Sequence, residues 1–168
     1  MFNLKNILTI TFFKLTWISC VFGEIYINSW FGLIIGVFYL IFFLVFQNER
    51  LNSLKIILVF SFLGYLFDSI LSISNLYKIQ SDHEFLFLPI WFLILWPCFS
   101  SLFVNVLIFL KGRILLSIFL GAIAGPLSYY AGVALELVVI SHFVVFFYIS
   151  IFWSLLFLFY SSYNLKKI

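Results

Sequence analysis

Asp68 and Lys14 each fall inside a long apolar stretch. An ionised side chain in hydrocarbon costs several kcal/mol unless it finds a partner, so two such residues point to an ion pair or to a working site. As a pair, a carboxylate and an ammonium would fix which helices pack together. As separate groups, Asp68 is an acid, a base or a substrate contact, and Lys14 reaches along its own stem toward the cytoplasmic surface. The residues around them repeat at helical spacing. Ser61, Gly64, Asp68, Ser72 and Asn75 are separated by three, four, four and three positions and share one stripe. In lipid such a stripe faces protein. Lys14, Trp17, Val21 and Glu24 form a second face, and Pro97, Ser101 and Asn105 a third. Gly121, Gly125, Ser128, Tyr129 and Gly132 form a fourth, with Pro126 as a kink. Asp68 is the candidate catalytic residue. Lys14, Trp17, Asn105, Ser128 and Tyr129 are the candidate substrate contacts.

The elements that carry these residues follow from composition. The chain of 168 residues is 65% hydrophobic and 9% charged, with 25 Phe, 9 Tyr and 5 Trp. Soluble domains hold roughly 25% charged residues, and no soluble core of this length buries so many aromatic side chains. The class is an all-α polytopic membrane protein, a single integral domain over 1–168. Six apolar runs, at about 6–24, 29–46, 54–75, 87–110, 114–133 and 138–161, are each read as a span of a hydrocarbon core roughly 30 Å thick. The run Met1–Cys20 is read as a retained first helix rather than a signal peptide, because Lys14 interrupts it and no small-x-small cleavage site follows.

Charge sets the orientation. Lys5, Arg50, Lys55, Lys111, Arg113, Lys166 and Lys167 fall on one side of this six-span arrangement, and Lys78 alone falls on the other, with Glu24, Asp82, Glu84 and Glu136. The positive-inside rule then places both termini in the cytoplasm. On that count Asp68 lies roughly 21 Å from the cytoplasmic edge, with Ser128, Tyr129 and Pro97 at similar depth, and Lys14 at roughly 12 Å. A Lys14–Asp68 contact joined by Tyr129 or Ser128 is within reach. The Gly121–Gly125 pair has the small-xxx-small spacing that lets two helices approach closely. Ser101 and Asn105 are read as interhelical hydrogen-bonding groups. Trp30, Trp91 and Trp153 lie near span ends, where an aromatic belt forms.

Other chemistries find little footing. Cys20 and Cys98 are too few for a disulfide framework and read as small buried side chains. The sequence Asp82-His83-Glu84 reads as a solvated loop, and no metal, phosphate-loop or Gly-x-Ser-x-Gly pattern occurs. The expected metal set is therefore none, and no motif specifies a cofactor. Basic residues scattered over loops give no nucleic-acid surface. The expected partners are the lipid bilayer and, under one reading below, another membrane protein.

The segments Phe13-Lys14-Leu15-Thr16-Trp17, Gly64-x-x-x-Asp68, Pro89-Ile90-Trp91, Leu95-Trp96 and Gly121-Ala122-Ile123-Ala124-Gly125-Pro126-Leu127-Ser128-Tyr129-Tyr130-Ala131-Gly132 occur in that order. In this the chain resembles a family of small bacterial inner-membrane proteins catalogued as a domain of unknown function. The likeness runs from about Asn6 to Glu136, and Gly-Pro-Leu-Ser-Tyr-x-Ala-Gly is its most specific part. It departs at Lys14, where the family pattern has Gln, a residue that would hydrogen-bond Asp68 without neutralising it. The resemblance implies about six membrane helices, a place in the bacterial inner membrane, and genes lying near lipid-modifying enzymes. Three functions follow as expectations. One is an enzyme or accessory factor in membrane lipid modification, with Asp68 as acid or base. The second is a small-solute transporter or substrate-binding subunit, with Pro126 breaking a helix at the site. The third is a structural or assembly subunit of a membrane complex.

Overall fold

The computed structural model describes residues 4–81 and 83–162. Among these, six helices dominate: α1 (Leu4–Tyr26), α2 (Ser29–Val45), α3 (Arg50–Ile73), α4 (Phe92–Asn105), α5 (Ile114–Ala134) and α6 (Val144–Ser162). Four of them, α1, α3, α5 and α6, are long and apolar enough to cross a membrane. The shorter α2 and α4 have 17 and 14 residues. Four short strands complete the order: β1 (Tyr77–Ile79), β2 (Glu84–Phe85), β3 (Leu88–Pro89) and β4 (Val138–Ile140). The expected spans differ from the helices in two places. The run 87–110 begins in a β2–β3 hairpin and becomes helical only at Phe92, and a 3-10 turn at Leu107–Leu110 follows α4. The run 138–161 opens with β4, and α6 starts at Val144. In both cases the strands are as apolar as the helices, so hydropathy alone does not separate them. Lys166, Lys167 and Asp82 lie outside the described residues.

Contacts divide the chain into two compact units. The first holds the described residues up to Leu66 together with those of Ser81–Ile108. Glycines bring its helices close. A Cβ on Gly32 would overlap the backbone of Cys20, which seats α2 on α1, and one on Gly36 would meet Ile94 and Thr16, of α4 and α1. Stacked rings of Phe60 and Phe103, 4.2 Å apart, hold α3 to α4, and the Trp96 indole lies over Gly64. The start of α2 is capped by the Asn28 side chain, which accepts the Trp30 and Phe31 amides at 3.0 and 3.1 Å. Buried Cys20 and Cys98 are both free thiols, and the Cys98 sulfur lies 3.6 Å from the Gly36 carbonyl.

The second unit holds Phe67–Gln80 and the described residues from Phe109 onward. Two helices end in it by the same device. After α3, Asn75 takes a left-handed φ of 54°, its amide bonds Ser72, and the Leu76 amide reaches back to Leu71. After α5, Glu136 takes φ 59°, its amide bonds Val133, and the Leu137 amide reaches back to Gly132. Both are Schellman caps, which settle the last carbonyls of a helix and turn the chain sharply. The strands that follow, β1 and β4, pair antiparallel with Tyr77 opposite Ile140 and Ile79 opposite Val138. The stripe read in the sequence therefore ends early: Ser61, Gly64 and Asp68 are buried on α3, but Asn75 lies beyond its end as the cap and is exposed. Asn tolerates that conformation, whereas Glu does not. Glu136→Gly is thus expected to raise stability by about 1 kcal/mol, read as a higher thermal midpoint in detergent. A lower midpoint would count against the cap.

Candidate functional site

Asp68 is completely buried. Its Oδ1 accepts a 2.5 Å hydrogen bond from the Tyr129 phenol. The two residues come together because their helices are built alike. Asp68 lies five residues before Ile73, the last of α3, and Tyr129 five residues before Ala134, the last of α5. Pairing β1 with β4 ties those two ends together and brings both side chains to one level, roughly 7 Å below the helix ends at 1.5 Å per residue. Aromatic rings lie beside the pair. Tyr77 of β1 stands edge-on to Tyr129, with centroids 6.0 Å apart and planes at 89°. The Trp153 indole is a further neighbour of the phenol. Phe67 stacks on Phe152 at 3.9 Å, holding α3 to α6 next to Asp68. A carboxyl group and a phenol so placed can pass a proton between them, and the phenol fixes the orientation of the carboxyl.

The seam between α5 and α6 sets where Tyr129 stands. Ser117, Gly121, Gly125 and Tyr129 recur every four residues as the buried stripe of α5. A Cβ on Gly121 would overlap the Trp153 backbone, and one on Gly125 would overlap its indole. Trp153 is therefore a packing residue and not part of an aromatic belt; Trp91 too is buried, whereas Trp30 is exposed. Along the same seam Ser154 donates to the Ile118 carbonyl at 3.2 Å and Ser150 to the Ala122 carbonyl at 2.9 Å. The second bond has a local cause. Ala122 would normally receive the amide of residue 126, but Pro126 has none, so a carbonyl is freed inside an apolar helix pair. The Ser150 hydroxyl takes it. Ser150→Ala is expected to cost about 1 kcal/mol, and close to nothing once Pro126→Ala restores the backbone donor. A double-mutant cycle by thermal or denaturant unfolding in detergent reads this directly, and additive effects would refute it.

Ser128 is exposed, and its hydroxyl bonds the Gly125 carbonyl of its own helix at 2.7 Å. Tyr130 is exposed. In the first unit Lys14 is exposed on α1 and Trp17 half-buried. Asn105 donates to the Thr9 hydroxyl at 3.3 Å, and Thr9 to the Lys5 carbonyl at 2.7 Å. Beside them the Tyr39 hydroxyl meets Ser101 Oγ at 2.5 Å, and Ser101 bonds the Cys98 carbonyl at 2.6 Å. This network joins α1, α2 and α4, so Asn105 and Ser101 serve interhelical bonding within the first unit. Sequence reasoning missed Thr9, Tyr39 and Tyr77, and read Trp153 as a residue near a span end. A lone hydroxyl or ring in an apolar run gives no spacing signal, although Trp153 faces the Gly121–Gly125 pair that did. His83 stands edge-on to Trp30, and His142 Nδ1 accepts the Val144 amide at 3.5 Å. Among the described residues no three of His, Cys, Asp and Glu gather as a metal site.

Among the described residues, six apolar helices, four of them of spanning length, with a buried carboxyl–phenol pair between two of them, define a helical protein of the membrane-embedded class. The chain belongs to the family described as protein of unknown function (DUF2878), whose model matches residues 6–159. No curated protein and no solved structure matches it.

Proposed function

We propose that this protein is an enzyme or accessory factor that acts on membrane lipids, with Asp68 as its acid–base group and Tyr129 as the residue that orients it. The observation that carries this reading is the level of the pair. Asp68 and Tyr129 sit roughly 7 Å below the ends of α3 and α5. That is the level where lipid headgroups give way to acyl chains, rather than the bilayer midplane, where transporter sites form. By the distribution of Lys and Arg, this end of the helices faces away from the cytoplasm, in the inner membrane of a bacterium with both termini cytoplasmic. The transport reading draws on a polar midplane site among six short helices, with Pro126 breaking a helix there. Here α5 is helical throughout, and Ser150 occupies the freed carbonyl. The test is untargeted lipidomics on cells lacking the gene, complemented with wild type, Asp68→Asn or Tyr129→Phe at matched membrane abundance. Lipid chemistry predicts a changed lipid class restored by wild type and not by Asp68→Asn. An unchanged lipidome in the deletion strain would overturn it.

A further inference from the structure

Among the described residues, the β2–β3 hairpin is where two successive bulky residues hold a left-handed conformation. Phe85 pairs with Leu88 across a two-residue turn, and both turn residues, Leu86 and Phe87, have positive φ, 47° and 71°. Such turns are normally Asn-Gly or Gly-Gly, because side chains that bulky disfavour the left-handed region. The strained residues do not reach a core. Phe85, Leu86 and Phe87 are 49%, 61% and 58% exposed, while Leu88 and Pro89 behind them are fully buried. Strain held in place by surrounding bonds points to a use for the side chains it presents.

Those bonds also give the hairpin its depth. Its base is fixed at the start of α2: Ser81 Oγ meets Ser29 Oγ at 3.2 Å, the His83 ring stands against Trp30, and the Ile90 amide bonds the His83 carbonyl at 3.0 Å. Its tip is fixed on α3, where the Tyr65 hydroxyl donates to the Phe85 carbonyl at 2.7 Å. Tyr65 lies fifteen residues after Arg50, the first of α3, hence roughly 22 Å along a helix that crosses a core about 30 Å thick. From the rim at His83 the strand descends roughly 7 Å to Phe85, at about 3.4 Å per residue.

We infer that the β2–β3 hairpin is a re-entrant element whose Phe85–Leu86–Phe87 tip inserts among the lipid acyl chains of the leaflet at the N-terminal end of α2. The occupant of this surface is lipid and not a protein partner. The tip backbone lies at a depth where polar groups need partners, and the Tyr65 bond supplies one. The three apolar side chains replace acyl contacts just beneath the headgroups and set a local disturbance in that leaflet. This inference rests on the membrane placement alone and not on Asp68 chemistry, so each can fail without the other.

The test places a nitroxide at Leu86→Cys in the full chain reconstituted into phosphatidylethanolamine–phosphatidylglycerol vesicles, with His83→Cys as the rim reference. The unsubstituted chain reports any labelling of Cys20 and Cys98. Collision with oxygen, which concentrates in hydrocarbon, is compared with collision with a polar nickel chelate. The expected result is nickel accessibility at residue 86 lower than at residue 83 by on the order of tenfold, with oxygen accessibility higher. Equal nickel accessibility at the two positions would show an aqueous loop, and low accessibility to both reagents would show a protein contact. Either result overturns the proposal. If Leu86→Cys does not fold, Phe85→Cys, outside the strained turn, gives the same readout.

Discussion

Tyr129→Phe destabilises the second unit by about 2–3 kcal/mol, more than Asp68→Asn, which costs about 1 kcal/mol. The phenol donates to Asp68 Oδ1 at a site without solvent exposure. Removing the donor takes that hydrogen bond from a fully buried carboxyl group. Asparagine keeps an oxygen in the same place and continues to accept the phenol hydrogen, so the helices stay in register. Function and stability should therefore separate. Asp68→Asn abolishes any proton transfer while leaving a folded protein, and Tyr129→Phe weakens both. Pairing Tyr129→Phe with Asp68→Leu removes donor and acceptor together, and the double variant should be more stable than the sum of the two single changes, by about 1–3 kcal/mol. Denaturant titration in a fixed detergent measures all four corners. A Tyr129→Phe protein as stable as wild type would remove the pair from the argument.

The second large effect lies at Gly121. Adding one methyl group in Gly121→Ala should cost about 3 kcal/mol, because the new atom meets the Trp153 backbone. A side chain can rotate away, but a helix backbone must move as a body, and the Ser150 and Ser154 bonds along the seam would move with it. Gly132→Ala, which meets only the Val138 side chain, is the matched control and should cost much less. Loss of folded protein for Gly121→Ala beside a normal yield for Gly132→Ala is the expected outcome. Similar yields would mean that the α5–α6 seam is looser than drawn.

Much of this arrangement is written in local spacing. The four-residue repeat from Ser117 to Tyr129 marks one face of α5, and Gly121 and Gly125 mark where a neighbour comes close. Equal depth for Asp68 and Tyr129 follows from counting residues along apolar runs. What spacing does not carry is which helices touch. Asn105 and Ser101 share a face in the sequence, but their partners, Thr9 and Tyr39, lie 96 and 62 residues away. The hairpin at Glu84–Pro89 was hidden for another reason. Phe85-Leu86-Phe87-Leu88 is as apolar as any helical run, and no glycine or asparagine marks its turn. The caps at Asn75 and Glu136 were equally silent, since a left-handed residue is legible mainly when it is glycine.

Sixty-one residues separate Asp68 from Tyr129. At about 5–20 residues per second, the ribosome delivers the phenol roughly 3–12 seconds after the carboxyl group. During that interval α3 must hold its acid in the bilayer without this partner, against an insertion cost of about 3 kcal/mol for an Asp at the helix centre, and less nearer the end. The most apolar 18 residues of α3 have a mean hydropathy of 2.1, against 1.4 to 2.0 for the same length of the other three spanning-length helices. Surplus apolarity in α3 is therefore a requirement of biogenesis: it keeps the acid in the membrane until the second half of the chain arrives.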